Sequence, residues 1–402
     1  MTFTTELREF IIQHKDDDVD SLLLSAKRYP DIDVPRAVEQ IEARRRLKNK
    51  LPEWYAVSDD LIMGGRIPAE QCSSELTAKY KRSLVLGESL CDLTGGMGVD
   101  LYYMSRGLKS AIYTERQHHL CEAAEHNFKV LGADNIVIRE GDGRDLPIPD
   151  VDTIYLDPAR RAGDGSRVYE VSDCEPNIIE WQDELLSHCK RLITKLSPMA
   201  DIHRTLERLH RVTDVHVVAV KGECKEVLMV QSGKNSDTYI DNNPSVAIHC
   251  IDFVTDGTFE HHYHISDEAE ASATYCGEDV SAYLYEPDVT LMKSHAFRHI
   301  CKVYGVDKLD TDVHLYTSDT LSTTFPGRRF IVDEVMDFSS KLLKTLKRTV
   351  PQANITSRGF VLSADELRKR TGIKDGGSVY IFGATVGGRK VLIRCSKCPT
   401  SL

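Results

Sequence analysis

The chain predicts an α/β fold built on a mostly parallel sheet wound by helices. Three observations predict it. Apolar runs of strand length recur at residues 84–92, 111–115, 136–141 and 153–157, and helical patterns separate them at 99–107 and 117–131. Every run ends in an acid, a glycine turn or both. Alternation of this kind gives parallel strands, with ligands at their C-terminal ends.

The first run leads into Asp92-Leu93-Thr94-Gly95-Gly96-Met97-Gly98, and Leu101, Tyr102 and Met104 follow at helical spacing. This reads as a strand, a glycine turn and a helix start. Glycines let backbone approach a ligand closely, and the first N–H groups of the next helix are unpaired. The second run ends in Glu115, roughly twenty residues on, where such folds place a carboxylate for ribose hydroxyls. The third ends in Asp142-Gly143, and the fourth in Asp157-Pro158-Ala159-Arg160-Arg161. A helix over 176–189, a fifth strand over 191–197 and a helix over 201–212 come next. Strands over 214–221 and 226–231 then form an expected antiparallel pair that closes the sheet.

In this order the motifs resemble those of class I S-adenosylmethionine-dependent methyltransferases. Asp92 to Gly98 is similar to their first motif, acid-x-G-x-G-x-G, with Thr94 where the first glycine falls. The resemblance implies a Rossmann-like, seven-stranded methyltransferase sheet with S-adenosyl-L-methionine as cofactor. It implies that Asp92, Gly96 and Gly98 cradle the methionine part, with Thr94 and Gly95 in the same turn. Glu115 would hold the ribose with Arg116 beside it, and Asp142 the adenine amino group with Gly143 beside it. Asp157 and Pro158 would open the catalytic motif next to the methyl, Asp157 also touching the cofactor.

Composition sets the outer bounds. A chain of 402 residues, 41% hydrophobic and 28% charged, has the profile of a soluble globular protein of two or three domains. No apolar run approaches the ~18 residues of a membrane span, and the first residues lack the basic start and apolar core of an export signal. Eleven cysteines without framework spacing read as cytosolic thiols, so a cytoplasmic location is expected. Cys395-Ser396-Lys397-Cys398 is a lone C-x-x-C read as flexible tail, and His261, His262 and His264 read as a solvated strand edge. No metal is expected.

Four regions are expected. Residues 1–82 read as a helical N-terminal cap, with Pro35 in a first turn behind Asp33 and one helix running from Pro68 through Tyr80 toward the cofactor pocket. Residues 83–235 carry the cofactor sheet. Residues 236–321 read as an acidic, β-rich connecting domain with 4 basic and 16 acidic side chains. Residues 322–402 read as a basic α/β unit with 15 basic and 6 acidic side chains. Charge runs are mostly solvated faces, but an asymmetry of this size points to a polyanionic partner.

Tyr283-Leu284-Tyr285-Glu286-Pro287-Asp288, Phe325-Pro326-Gly327-Arg328 and Asn354 to Gly359 resemble the THUMP-like domain of a bacterial methyltransferase family. The resemblance extends along almost the whole chain, to 40–54 and 70–81. THUMP domains bind RNA, so it implies an RNA partner, with Arg328 and Arg329 as substrate-binding residues.

Methyl transfer from a sulfonium needs an acceptor atom about 3–3.5 Å from the methyl carbon, in line with the bond that breaks. Amine methyltransferases often carry Asp/Asn-Pro-Pro-aromatic after the fourth strand; this chain has Asp157-Pro158-Ala159-Arg160. Arg160 could stack, or clamp a phosphate with its fork, as could Arg161. The same residues resemble a motif of RNA 5-methyluridine methyltransferases, but the cysteine those enzymes need after the fifth strand is absent from Lys195-Leu196-Ser197-Pro198. The expected activity is direct methylation of a tRNA or rRNA base without a covalent cysteine adduct. Methylation of a protein or small molecule, and cofactor binding without catalysis, are the alternatives.

Overall fold

In the computed structural model, residues 4–160, 171–234, 236, 245–255 and 257–399 are described, with Arg160 and Lys347 as backbone only. The chain divides into two compact units, Met1–Asp214 with Val227–Pro244, and Val215–Glu226 with Ser245–Leu402.

The first unit opens with helices α1 (Thr5–Gln13), α2 (Val19–Leu24), α3 (Val34–Lys50), α4 (Pro52–Ala56), α5 (Arg66–Gln71) and α6 (Glu75–Arg82). Side-chain caps start four of them: Thr4, Asp18, Asp33 and Ser74 accept the N–H of Leu7, Ser21, Arg36 and Thr77. Pro35 occupies the first turn of α3, where a missing N–H costs nothing. Leu7, Phe10, Ile11, Val38 and Ile41 pack into the small core of this cap. The single helix expected from Pro68 to Tyr80 is two, because Ser74 takes an extended backbone and caps α6.

The sheet follows with β1 (Ser89–Asp92), α7 (Val99–Met104), β2 (Ser110–Glu115), α8 (His118–Val130), β3 (Ile136–Glu140) and β4 (Val151–Leu156). A short antiparallel pair, β5 (Ala159–Arg160) with β6 (Cys174–Glu175), precedes α9 (Ile178–Ser187), β7 (Cys189–Leu196), α10 (Ile202–Leu206), β8 (Val212–Val220) and β9 (Glu223–Ser232). Strands β3, β2, β1, β4 and β7 are parallel neighbours in that order, and β9 runs antiparallel beside β7. The first strand is shorter than expected. Leu84 and Val85 belong to the turn after α6, their N–H groups bound to the carbonyls of Lys81 and Arg82.

The second unit takes in Val215–Glu226 of the β8–β9 hairpin and continues with β10 (Ala247–Val254), β11 (Gly257–His264), α11 (Ile265–Glu270), β12 (Tyr283–Pro287), α12 (Val289–Ser294), α13 (His299–Tyr304), β13 (Asp307–Asp310) and β14 (Val313–Ser318). It ends with β15 (Gly327–Asp337), α14 (Ser340–Thr349), β16 (Asn354–Arg358), α15 (Ala364–Thr371), β17 (Val379–Val386) and β18 (Arg389–Lys397). Two expectations change here. The first sheet has nine strands, in the order β11-β10-β8-β9-β7-β4-β1-β2-β3: the seven expected, then the β10–β11 hairpin, which covers the open ladder of β8. The strands of 283–318 and those of 327–397 share one seven-stranded sheet, β13-β14-β12-β15-β18-β17-β16, so no sheet boundary falls at residue 322. Strand β12 pairs with both β14 and β15, which joins the acidic and basic stretches.

Leu284, Phe330, Phe382 and Ile393 form the core of that second sheet. Cys395 lies in β18 and is fully buried, and Cys398 is buried, so the C-x-x-C is structural interior and not a flexible tail. His262 and His264 are exposed as expected. His261 is buried against the Tyr304 hydroxyl at 2.9 Å, and burial pulls its pKa down to about 4. No helix of the described residues is long and apolar enough to cross a membrane.

Candidate active site

A groove of about 570 Å³ runs along the C-terminal ends of β1, β2, β3, β4 and β7, all in the first unit. The strand order explains its place. Parallel strands deliver their last residues to one edge, where the loops diverge. Asp92 ends β1, Glu115 ends β2, Asp142 follows β3, Asp157 follows β4 and Lys195 lies near the end of β7; all five line the groove.

The turn after β1 is tightly constrained. Asp92 is buried, and its Oδ1 accepts the Thr94 N–H at 2.9 Å and the Thr94 hydroxyl at 3.2 Å. Burial pushes its pKa up to about 8, against the pull of those donors. Thr94 Oγ1 also accepts the Asp157 N–H at 2.7 Å, which ties the ends of β1 and β4 together. A glycine in that position would leave this link unmade. Gly98 has φ +77°, and a Cβ there would lie 2.6 Å from the Phe128 ring. A Cβ on Gly95 would lie 2.3 Å from the Tyr113 ring.

Glu115 spans two loops. Its Oε2 accepts the Gly96 N–H at 2.9 Å and its Oε1 the Gln117 N–H at 2.8 Å. Arg116 lines the groove and reaches Glu175 at 3.5 Å. Asp142 carries a partner that sequence reading did not anticipate: Arg144 donates to both its oxygens, Nη2 at 3.0 Å to one and Nε at 3.2 Å to the other. The Arg144 bonds hold the Asp142 carboxyl below the usual range despite partial burial. Gly143 packs against the Leu93 carbonyl and also lines the groove.

At the β4 end the floor is ionic. Lys195 Nζ lies 2.5 Å from Asp157 Oδ2, 3.3 Å from Ser73 Oγ and 3.8 Å from Asp100 Oδ2. Asp100 in turn accepts the hydroxyls of Tyr155 at 2.7 Å and Ser73 at 2.8 Å, and faces Lys81 Nζ at 3.2 Å. Burial opposes ionisation of Asp100, but the Lys81 and Lys195 ammoniums outweigh it and hold its pKa below the usual range. Gln71, Cys72 and Ser73 line the groove, so the segment ahead of β1 reaches the pocket as expected.

The remaining expected residues are placed differently. Pro158 is buried and does not line the groove. The backbone of Arg160 pairs with Cys174 in the β5–β6 ladder, and Arg161 lies outside the described residues. In the second unit, Arg328 is held by Glu286, which is itself buried and also binds Arg358 at 2.9 Å. Arg329 donates to the Thr323 carbonyl. Neither arginine is among the residues that line the groove.

No sequence motif marks Ser73, Lys81, Asp100, Tyr155 or Lys195 as part of this floor. For Lys195 there was a usable signal. A lysine inside Leu192-Ile193-Thr194-Lys195-Leu196, at the end of a central strand, has no solvent to snorkel into and needs a counter-charge.

Two family models match the C-terminal part: a ferredoxin-like domain over residues 283–326 and a THUMP domain-like model over residues 327–397. The whole fold is similar to that of a candidate methyltransferase from Porphyromonas gingivalis W83, with TM-score 0.88 and 35% identity over 99% of this chain and 100% of that one. A candidate class I S-adenosylmethionine-dependent methyltransferase from Listeria monocytogenes aligns with TM-score 0.38 and 12% identity, over 61% of this chain and 93% of that one. A candidate RNA methyltransferase from Pyrococcus horikoshii aligns with TM-score 0.31 and 14% identity, over 43% and 92%. Scores as low as these two bear on neither chemistry nor substrate. No curated protein matches the chain.

Proposed function

The chain belongs to the bacterial family of class I S-adenosylmethionine-dependent methyltransferases with a C-terminal THUMP-like domain, and on that premise we propose that it transfers methyl groups to RNA by direct in-line attack. The observation that carries the transferase half is the groove itself. Asp157, Asp92, Glu115 and Asp142 stand along one edge in the order of their strands β4, β1, β2 and β3, and the turn after β1 is closed to any side chain at Gly95 and Gly98.

Each group has a task in this reading. The Gly96-to-Gly98 turn and Asp92 receive the methionine end of S-adenosyl-L-methionine. Glu115 and Arg116 receive the ribose. The Asp142 carboxylate is already engaged by Arg144, so the loop backbone around Gly143 takes the adenine amino group more readily than that side chain does. Asp157 faces the acceptor, and the donor supplies an activated methyl on a sulfonium. The protein aligns the acceptor and manages its charge. All cysteines among the described residues are free, and none lines the acceptor end beside Lys195 except Cys72, whose pKa burial raises. A covalent cysteine adduct therefore has no activated thiolate to start from.

The RNA half is supported by the THUMP domain-like match over 327–397 and by the 15 basic against 6 acidic side chains of residues 322–402. One observation favours a protein or small-molecule acceptor instead: Arg328 and Arg358 are both spent on the buried Glu286, which lessens their charge toward a phosphate.

The deciding experiment is transfer of radiolabelled methyl from S-adenosylmethionine into extract from a strain lacking the gene, with Asp157→Ala enzyme and nuclease treatment as controls. Label that disappears with nuclease and is absent with the variant supports the RNA reading. Nuclease-resistant label moves the acceptor to protein or metabolite.

A further inference from the structure

The acceptor end of the groove is built of charges, and this bears on which atom can be methylated. Strands β4 and β7 are parallel neighbours with Leu156 opposite Thr194, so the next residues, Asp157 and Lys195, emerge side by side. Lys195 Nζ sits 2.5 Å from Asp157 Oδ2. The lysine side chain is 13% exposed and the aspartate side chain 38%, so the carboxylate is the more open of the two toward the groove.

The pair is anchored from behind. Ser73 Oγ lies within 3.3 Å of Lys195 Nζ and donates to Asp100 at 2.8 Å, and Asp100 is held by Tyr155 and by the fully buried Lys81. When Asp157 changes its own partner, Ser73 Oγ at 3.3 Å and Asp100 Oδ2 at 3.8 Å still hold the ammonium from separate elements.

An exocyclic base amine asks for something else: a stacking ring and uncommitted hydrogen-bond acceptors. Tyr155 is the single aromatic ring among the described residues that line the groove. It is 1% exposed, and its hydroxyl is committed to Asp100. A hydroxyl acceptor asks for what is present. Its oxygen is a weak nucleophile until the proton is drawn off, and a cation beside it stabilises the negative charge that develops.

We propose that the methylated atom is a hydroxyl oxygen, the ribose 2′-oxygen of RNA, with Asp157 as proton acceptor and Lys195 as the cation at the developing oxyanion. The proposal rests on the RNA reading above, and it replaces the base acceptor expected from sequence. The acceptor oxygen forms the new C–O bond, the C–S bond breaks with its electron pair returning to sulfur, and the hydroxyl proton passes to an Asp157 carboxylate oxygen and on to water.

The test reads the chemistry of the product. RNA from a strain lacking the gene is labelled with methyl by the full-length enzyme and hydrolysed in alkali. Alkaline cleavage uses the 2′-oxygen as nucleophile, so a 2′-O-methyl group blocks it. Label in alkali-resistant dinucleotides is the expected result. Label in mononucleotides marks a methylated base and overturns the hydroxyl assignment while the RNA reading stands. Label absent from RNA but present in protein or metabolite overturns both. Variants supply the second arm. Lys195→Met lowers kcat by about 10²-fold or more, leaves the dissociation constant for S-adenosylhomocysteine within about twofold, and Lys195→Arg recovers part of the rate. A Lys195→Met enzyme that turns over at the wild-type rate overturns the proposal whatever its stability.

Discussion

Glu115 Oε2 accepts the backbone N–H of Gly96 at 2.9 Å, so the acid that ends β2 pins the glycine turn that follows β1. The second oxygen holds Gln117 at 2.8 Å. A carboxylate fixed from two sides meets a ligand without reorganising, which is how preorganisation raises affinity.

On the proposed reading, Glu115→Ala loses two things together, the group that would receive the ribose and the brace on Gly96. Charge-assisted hydrogen bonds contribute about 1.5–3 kcal/mol each, so S-adenosylhomocysteine should bind at least ~10-fold more weakly by calorimetry. Glu115→Gln keeps one acceptor oxygen and should lose less. Wild-type affinity in the alanine variant would remove Glu115 from the cofactor site.

The buried pair Lys81–Asp100 gives a stability prediction. Lys81 has no exposed surface, and its Nζ lies 3.2 Å from Asp100. Breaking a buried pair by removing one partner costs about 3–5 kcal/mol, and without Lys81 the buried Asp100 keeps only the more distant Lys195 ammonium at 3.8 Å. Lys81→Met should lower the unfolding free energy in urea by that order, and adding Asp100→Asn should recover much of it. The pH dependence has a definite sign. The folded-state pKa of Asp100 is depressed, so its contribution is present above the ordinary carboxylate range and is lost as the solution is acidified through the folded value. Equal urea midpoints for wild type and Lys81→Met would contradict this account.

How much of this was visible in the sequence depends on how local each signal is. The strand–turn–helix order and the five parallel strands were legible because period-2 and period-3.6 patterns are properties of short stretches. Asp92, Glu115 and Asp157 were legible because each sits where a strand ends. The β10–β11 hairpin lies in the stretch whose composition reads as β-rich, but its attachment beyond β8 is a tertiary choice that no local pattern carries. Lys81 was hidden for the opposite reason. It stands in Lys79-Tyr80-Lys81-Arg82, which looks like an ordinary basic helix end, and only the fold shows that the middle lysine turns inward to Asp100. Thr94 looked like a defect in the glycine motif, yet its hydroxyl links Asp92 to the Asp157 backbone.

The glycine turn can be tested without any ligand. Gly98→Ala places a Cβ 2.6 Å from the Phe128 ring at φ +77°, so strain and overlap add. Each is worth about 1–3 kcal/mol, and the thermal midpoint should fall by several degrees. Gly132, at φ +68° with open space around its Cβ position, is the control: Gly132→Ala carries the backbone strain alone and should fall less. If the two variants melt together, close packing of the turn is not what excludes a side chain there.

Asp92 supplies the last prediction, and its sign is opposite to that of Asp100. Burial pushes its folded-state pKa up to about 8, whereas in the unfolded chain it titrates near 3.9. Between those values the folded protein holds a proton that the unfolded chain has released. Stability therefore falls as pH rises through that window and levels off above it. Asp92→Asn cannot titrate, so it lacks this slope and should gain on the wild type steadily from pH 5 to pH 8. The measurement is the unfolding free energy in urea at a series of pH values, taken as the difference between the two proteins so that every other titrating group cancels. A difference that stays constant across the window would mean that Asp92 is ionised at neutral pH in the free protein. In that case the Thr94 N–H and hydroxyl, both aimed at Asp92 Oδ1, outweigh the burial that surrounds it.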